Sequence, residues 1–335
     1  MQLEEEAPFV NLYVPTNNFD GAAKIDLDIR TVWSKVSLGD TESIDAAREV
    51  YSGGRGSQSD VTLESIGTSS ELLDPNVIKE YSGSYDYGDR LMQAVFNKVS
   101  TSFENSGIDF DFDFDFSVFS NDGNVGAYFS RLLDLFVFLL LLNEIIMVFL
   151  FYLLKGFVRR GILGIVMDYI NFCLYQATKS CHNLDLSQSI MHWDEAVAFY
   201  TGSIPRESGA EGYLFYTESE VQGSKFGTRS GSMSMSNKAA FDNSHEGKMK
   251  LKENECGLAE VNAEKIKSQM LIPLIQGLLR TSYQIDYLSY QNEITRGEAA
   301  GYAAALLPSI NNCSKFKASF IMRWLLGELI STAFE

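Results

Sequence analysis

His192-Trp193-Asp194-Glu195-Ala196-Val197-Ala198-Phe199-Tyr200-Thr201-Gly202-Ser203 is the stretch whose reading decides the fold. Trp193, Ala196, Val197 and Tyr200 stand at i, i+3, i+4 and i+7, the spacing that lays an apolar stripe along one face of a helix. Gly202 follows the last periodic residue, where a left-handed C-terminal cap belongs. The chain carries the pattern twice. Asp45-Ala46-Ala47-Arg48-Glu49-Val50-Tyr51-Ser52-Gly53-Gly54 aligns with it when Tyr51 is set against Tyr200. Each copy has Asp six residues before the tyrosine, Ala four before, an apolar residue one before, then Ser or Thr, then Gly. Ile44 takes the place of Trp193. A helix with one apolar stripe cannot bury it alone, so two copies predict a mainly α fold of two pseudo-repeated helical half-units packed together.

The chain has 335 residues, enough for one large or two ordinary domains. Lys and Arg number 27 against 44 Asp and Glu, a net charge of −17. That argues against a nucleic-acid partner, which needs a basic face, and fits a surface that gathers cations. Cys173, Cys181, Cys256 and Cys313 are even in number, which permits two disulfides, and their spacing matches no zinc signature. The acidic start has no apolar run of the signal-peptide kind. The expectation is a cytosolic protein, or one whose natural start lies upstream of Met1.

Taken in order, Ile25 to Val36 has helical apolar spacing, and Thr41 or Ser43 can cap the first repeated helix. Ser52 to Ser59 reads as a Gly- and Ser-rich loop, and Asp89 to Val99 as a short helix. Ile108 to Phe116 alternates Phe with Asp and reads as an exposed strand or a low-complexity insert. Gly164 to Thr178 is helical. Val261 to Tyr287 is a long helix kinked at Pro273, Glu298 to Leu307 a helix that ends at Pro308, and Phe316 to Phe334 an amphipathic helix. Ser224 to Glu246 reads as a mobile linker.

Leu132 to Leu154 stands apart. Twenty of its 23 residues are apolar, the exceptions being Asp134, Asn143 and Glu144. At about −0.3 to −0.6 kcal/mol each, the apolar residues outweigh a central acidic residue at about +2.5 to +3.5 kcal/mol. Lys155, Arg159 and Arg160 follow and would favour a cytoplasmic C-terminal side. A span here would put the two repeated helices on opposite sides of a membrane, where they could not pack. Three readings stay open: a membrane span, a buried or interfacial helix, or an insertion that comes from an imperfect gene model. The expected organisation is an N-terminal half-unit over 1–130, the apolar segment over 131–155, and a C-terminal half-unit over 156–335 with its linker at 224–246.

No nucleophile elbow, phosphate loop, dinucleotide fingerprint or His-Glu-x-x-His motif occurs, and no enzyme is expected. Cys181-His182 reads as a disulfide or core thiol beside a histidine. Hard oxygen donors are plentiful, with 16 tyrosines and 44 carboxylates, and such donors suit a hard cation such as iron(III). The repeated pattern supplies the candidate ligands: Asp45, Tyr51, Asp194 and Tyr200, with His192 beside them. Asp194 and Tyr200 lie about 240° apart around a helix, so they do not share a face. Gly53, Gly54 and Gly202, with Arg206 beyond, are the candidates for holding an anion. The alternatives are a core hydrogen bond for each tyrosine, a helix N-terminal role for Asp194 and a cap-region role for His192.

At these residues the chain resembles the algal iron-assimilation proteins, related to the diatom phytotransferrins. The likeness lies in His192 to Ser203, in Leu271 to Arg280 with its Pro-Leu-Ile-Gln-Gly run, and in Glu298 to Pro308 followed by Cys313. Ile25 to Asp28, Ala47 to Gly54 and Tyr85-Asp86-Tyr87 add to it. The resemblance implies a secreted or cell-surface protein that binds iron(III) for uptake, with carbonate as accompanying anion and no turnover. The chain departs from the family in three ways. It shows no signal peptide, it has no cysteine near Ser224 to Arg229, and Leu132 to Leu154 falls where the family has a short connection. The alternative is a membrane-anchored structural or interaction protein without metal, with 132–154 as its anchor.

Overall fold

The computed structural model describes residues 13–17, 20–38, 40–54, 61–69, 77–97, 143–203, 212–288 and 292–321. Among them the fold is mainly α. Six helices come first: α1 (Asp20–Ala23), α2 (Ile25–Val36), α3 (Thr41–Gly53), α4 (Leu63–Gly67), α5 (Val77–Ser82) and α6 (Tyr87–Asn97). Then come α7 (Asn143–His182), α8 (Leu186–Thr201) and α9 (Phe215–Phe226). A hairpin of β1 (Arg229–Ser230) and β2 (Met233–Ser234) leads to α10 (Met235–Lys252), α11 (Cys256–Asp286) and α12 (Glu293–Cys313).

Local chemistry explains most of these ends. In α2, Ile25, Ile29, Val32 and Val36 are fully buried, the stripe that their spacing predicts. Asp40, not Thr41 or Ser43, caps α3: its carboxylate accepts from both the backbone N–H and the hydroxyl of Ser43 at 2.8 Å. Asp185 caps α8 through Gln188, and Gly202 ends it at φ 72° with an extended ψ of −172°. That positive φ suits glycine, but the geometry is not the left-handed cap expected.

Two further expectations need correction. Residues 224–246, read as a mobile linker, contain the end of α9, the hairpin and most of α10. Ser234 donates its backbone N–H to Glu220 and caps α10 by accepting from the Asn237 N–H, so polar side chains rather than an apolar run order this stretch. Pro308 does not end its helix: α12 continues to Cys313. Proline removes the N–H that would bond the carbonyl four residues back. That carbonyl, on Ala304, accepts instead from the hydroxyl of Tyr87 at 3.1 Å. The burial of α8 also extends beyond its apolar stripe. Asp194, Ala198 and Phe199 are as buried as Trp193 and Ala196, because neighbours cover the helix beyond its stripe.

The chain divides into two compact units that interleave in sequence rather than follow one another. The first takes 1–30, 54–63 and 166–276, and the second 31–53, 64–165 and 277–335. Helices α2, α4, α7 and α11 contribute residues to both. In the first unit Trp193 donates its indole N–H to the carbonyl of Ser244 at 2.9 Å. Its ring lies over Gly247, where a Cβ would come within 2.2 Å. Cys181 and Cys256 form a disulfide across the ends of α7 and α11, while Cys173 is a buried thiol and Cys313 an exposed one. In the second unit α7 and α12 meet through glycine. A Cβ on Gly301 would fall 2.7 Å from the carbonyl of Phe157, and one on Gly156 still closer to that of Ile294.

Of the apolar stretch 132–154, residues 132–142 lie outside the described residues, and 143–154 form the start of α7. The basic residues after it are used inside the second unit. Lys155 and Arg159 lie 5.0 and 5.5 Å from the Trp33 ring centre, and Arg160 pairs with Glu298 at 2.8 Å. Ile108 to Phe116 lies outside the described residues.

Candidate functional site

Within each unit, the residues that the repeated pattern singles out have separate surroundings. In the first unit Asp194 and Tyr200 leave α8 in different directions, as their spacing requires. Asp194 is fully buried and accepts from Tyr13 Oη at 2.5 Å, from the backbone N–H of Thr16 at 2.6 Å and from Lys248 Nζ at 2.7 Å. Burial, opposed by Asp194, lowers the Lys248 ammonium from its ordinary range. Tyr200 donates to Asn237 Oδ1 at 2.8 Å, and its ring packs between Phe215 and Phe241. Burial raises its phenol above the usual range. It has the contacts of a core tyrosine.

His192 lies in the middle of α8, six residues beyond the first, not in a cap region. Its Nδ1 stands 3.5 Å from Glu195, and Glu195 accepts a hydrogen bond from Tyr169 Oη at 2.7 Å. The cap glycines meet a carboxylate that the chain itself supplies. Asp26, nearly fully buried on α2, accepts from the Ser203 N–H at 3.1 Å and the Ser203 hydroxyl at 2.6 Å. It also lies against Gly202, where a Cβ would sit 3.0 Å from its Oδ2. Burial raises the Asp26 carboxyl to about 6, with the Ser203 bonds pulling the other way. Gly54, at φ 61°, is close to Asp28 in the same unit, its built Cβ 3.8 Å from Oδ2. Gly53 is exposed at the end of α3, and Arg206 lies outside the described residues.

In the second unit the copy on α3 has different surroundings. Asp45, the counterpart of Asp194, is exposed and stands 3.9 Å from Arg48. Tyr51, the counterpart of Tyr200, is fully buried, with an edge contact to Phe96. It donates to Asp89 Oδ1 on α6 at 2.9 Å. Gln93, one turn further along α6, places its amide nitrogen 3.4 Å from both Asp89 Oδ1 and Glu64 Oε1 of α4. Gly67 leaves room at this point: a Cβ there would lie 3.2 Å from Tyr51 Oη and 3.2 Å from Asp89 Cβ. Burial, then Asp89 and Glu64, hold the Tyr51 phenol well above its ordinary range, and burial raises the Asp89 carboxyl. Neither Asp89 nor Glu64 has an ion-pair partner among the described residues.

Three α-helical elements thus aim a phenol, two carboxylates and an amide at one small volume. These are hard donors, of the kind that bind hard cations. Sequence reading found Tyr51 but missed Asp89, Glu64 and Gln93. A signal existed for two of them, since Asp89 and Gln93 are four apart and share a helix face. Nothing tied Glu64 to either. Among the described residues no three His, Cys, Asp or Glu side chains are placed to hold a metal ion together, so the phenol is essential to any site here. No helix among them is long and apolar enough to cross a membrane. The chain matches no protein-family model, no curated protein and no solved structure.

Proposed function

We propose that the chain binds iron(III) for uptake at the cell surface, without catalytic turnover, and that it does so at the Tyr51, Glu64, Asp89 and Gln93 cluster. The observation that carries this reading is Tyr51 Oη within 2.9 Å of a carboxylate, with Glu64 beside the same amide and no ion-pair partner on either acid among the described residues. The space at Gly67 fits it, because a side chain there would crowd the phenol and Asp89. In this reading Tyr51 gives a phenolate oxygen, Glu64 and Asp89 give carboxylate oxygens, and Gln93 turns its amide to offer oxygen. The Tyr51 proton must leave on binding, so apparent affinity rises with pH.

Carbonate, the anion that the family resemblance implies, needs a cation near the metal. Arg48 is one turn before Tyr51 on α3 and bonds Asn97, one turn after Gln93, at 2.8 Å. It is the described cation best placed by sequence for that role. The Cys181–Cys256 disulfide fits a protein that works in an oxidising compartment. Asp194 and Tyr200 are structural in this reading.

The test is an absorbance titration with iron(III), with and without bicarbonate. A visible tyrosinate-to-iron band should appear in the parent chain and in Tyr200→Phe, and be lost in Tyr51→Phe. A band that survives Tyr51→Phe removes this centre. A flat spectrum from the folded parent chain removes phenolate binding of iron altogether.

A further inference from the structure

Residues 13–17, Tyr-Val-Pro-Thr-Asn, form a non-helical stretch ahead of α1 in the first unit. Burial alternates along it: Tyr13 and Pro15 point inward, while Val14 and Thr16 are exposed. That is the period of an extended chain lying on a surface. Among the described residues three side-chain hydrogen bonds tie it down, and each ends on one of two side chains. Tyr13 Oη and the Thr16 N–H donate to the two oxygens of Asp194, and Lys248 Nζ donates to the carbonyl of Val14 at 3.0 Å. The same ammonium stands 4.9 Å from the centre of the Tyr13 ring.

The two receiving side chains also hold each other. Lys248 and Asp194 pair directly at 2.7 Å from α10 and α8. Removing it would therefore leave a matched ion pair, not an isolated buried charge. Of these three bonds two read peptide backbone and one, from the Tyr13 hydroxyl, reads a side chain. Recognition of this kind is the mode by which a groove takes an extended peptide: backbone bonds give affinity and a pocket for one side chain gives specificity.

We infer that Asp194 and Lys248 form a receptor for an extended peptide, that residues 13–17 are its built-in occupant, and that a free peptide with the same Tyr-x-Pro-Thr pattern competes for the place. The inference does not depend on iron binding. It is tested on the full chain with a specific protease site written over residues 18–19, folded first and then cut. A labelled peptide with the sequence of residues 9–17 is added in large excess, and uptake is followed by anisotropy while circular dichroism follows the fold. The cut chain should stay folded and take up the labelled peptide to saturation. A peptide with Tyr13→Phe should bind about ten- to a hundredfold more weakly, the loss expected for one hydrogen bond to a charged group. Lys248→Met in the cut chain should abolish uptake of the Tyr peptide. If the folded, cut chain takes up no peptide, or takes the Phe peptide equally well, the receptor does not exist. If cutting unfolds the chain, the stretch is part of the core and the inference fails as well.

Discussion

Asp26 carries a pH dependence whose sign can be worked out. Its carboxyl rises from an ordinary 3.8 to about 6 in the fold, mainly through burial. A raised acid is favoured in its protonated form by the folded state. Its contribution is therefore best below about 4 and is lost as the pH climbs to about 6, by on the order of 3 kcal/mol. Asp26→Asn keeps one acceptor for Ser203, offers the Ser203 hydroxyl an N–H in place of the other, and removes the buried charge. Urea unfolding at pH 4 and pH 7 should show the variant gaining on the parent at the higher pH, and parallel behaviour would contradict the assignment. Lys248→Met makes the opposite kind of change. It leaves Asp194 buried without its cation, and should cost about 3–5 kcal/mol in the same measurement. These residues also mark the limit of sequence reading. Asp45 and Asp194 hold the same place in the repeated pattern, yet one is 61 % exposed and the other 0 %. The difference comes from Tyr13, Thr16 and Lys248, which are distant in the chain and invisible to a local pattern. Tyr51 was legible as a candidate because its type and position recur, whereas its neighbour Glu64 enters only through the packing of α4.

Elements were more legible than sites. The spacing of Ile25 to Val36 predicts a helix with the limits that α2 has, because the stripe alone stabilises it. Pro308 misled for a tertiary reason. Pro308 deprives the Ala304 carbonyl of its partner, and Tyr87 from α6 restores one. Tyr87→Phe should thus cost about 1–3 kcal/mol, as a buried carbonyl loses its donor, and thermal unfolding will show it. A neutral result would mean that the carbonyl finds another donor. The glycines of α7 and α12 had no readable role, because only the close approach of two helices gives them one. Gly301→Ala should destabilise by about 1–3 kcal/mol through contact with backbone. Gly257→Ala, on α11 with nothing within 4 Å of the added carbon, should be neutral or stabilising by up to about 1 kcal/mol. Equal shifts in the two variants would show that helix propensity, not contact, governs both.

At the scale of the whole molecule, each of the two compact units draws on segments from both halves of the chain. A division into successive halves follows from a repeat read along the sequence, and contacts between distant segments decide otherwise. The disulfide closes a loop with a sequence separation of 75 in the first unit. In the chain-entropy account, a ring of that size contributes about 4 kcal/mol by restricting the unfolded state. A reductant should therefore lower the denaturation midpoint of the parent chain and leave that of Cys181→Ser unchanged. No shift in the parent would mean that the unfolded chain is already restricted. The same bridge has a second consequence. Residues 204–211 fall inside the ring it closes, so a protease cut there yields two fragments that remain one molecule. They would migrate together on a non-reducing gel and separate only after thiol treatment, so the chain survives as one covalent body after losing a peptide bond.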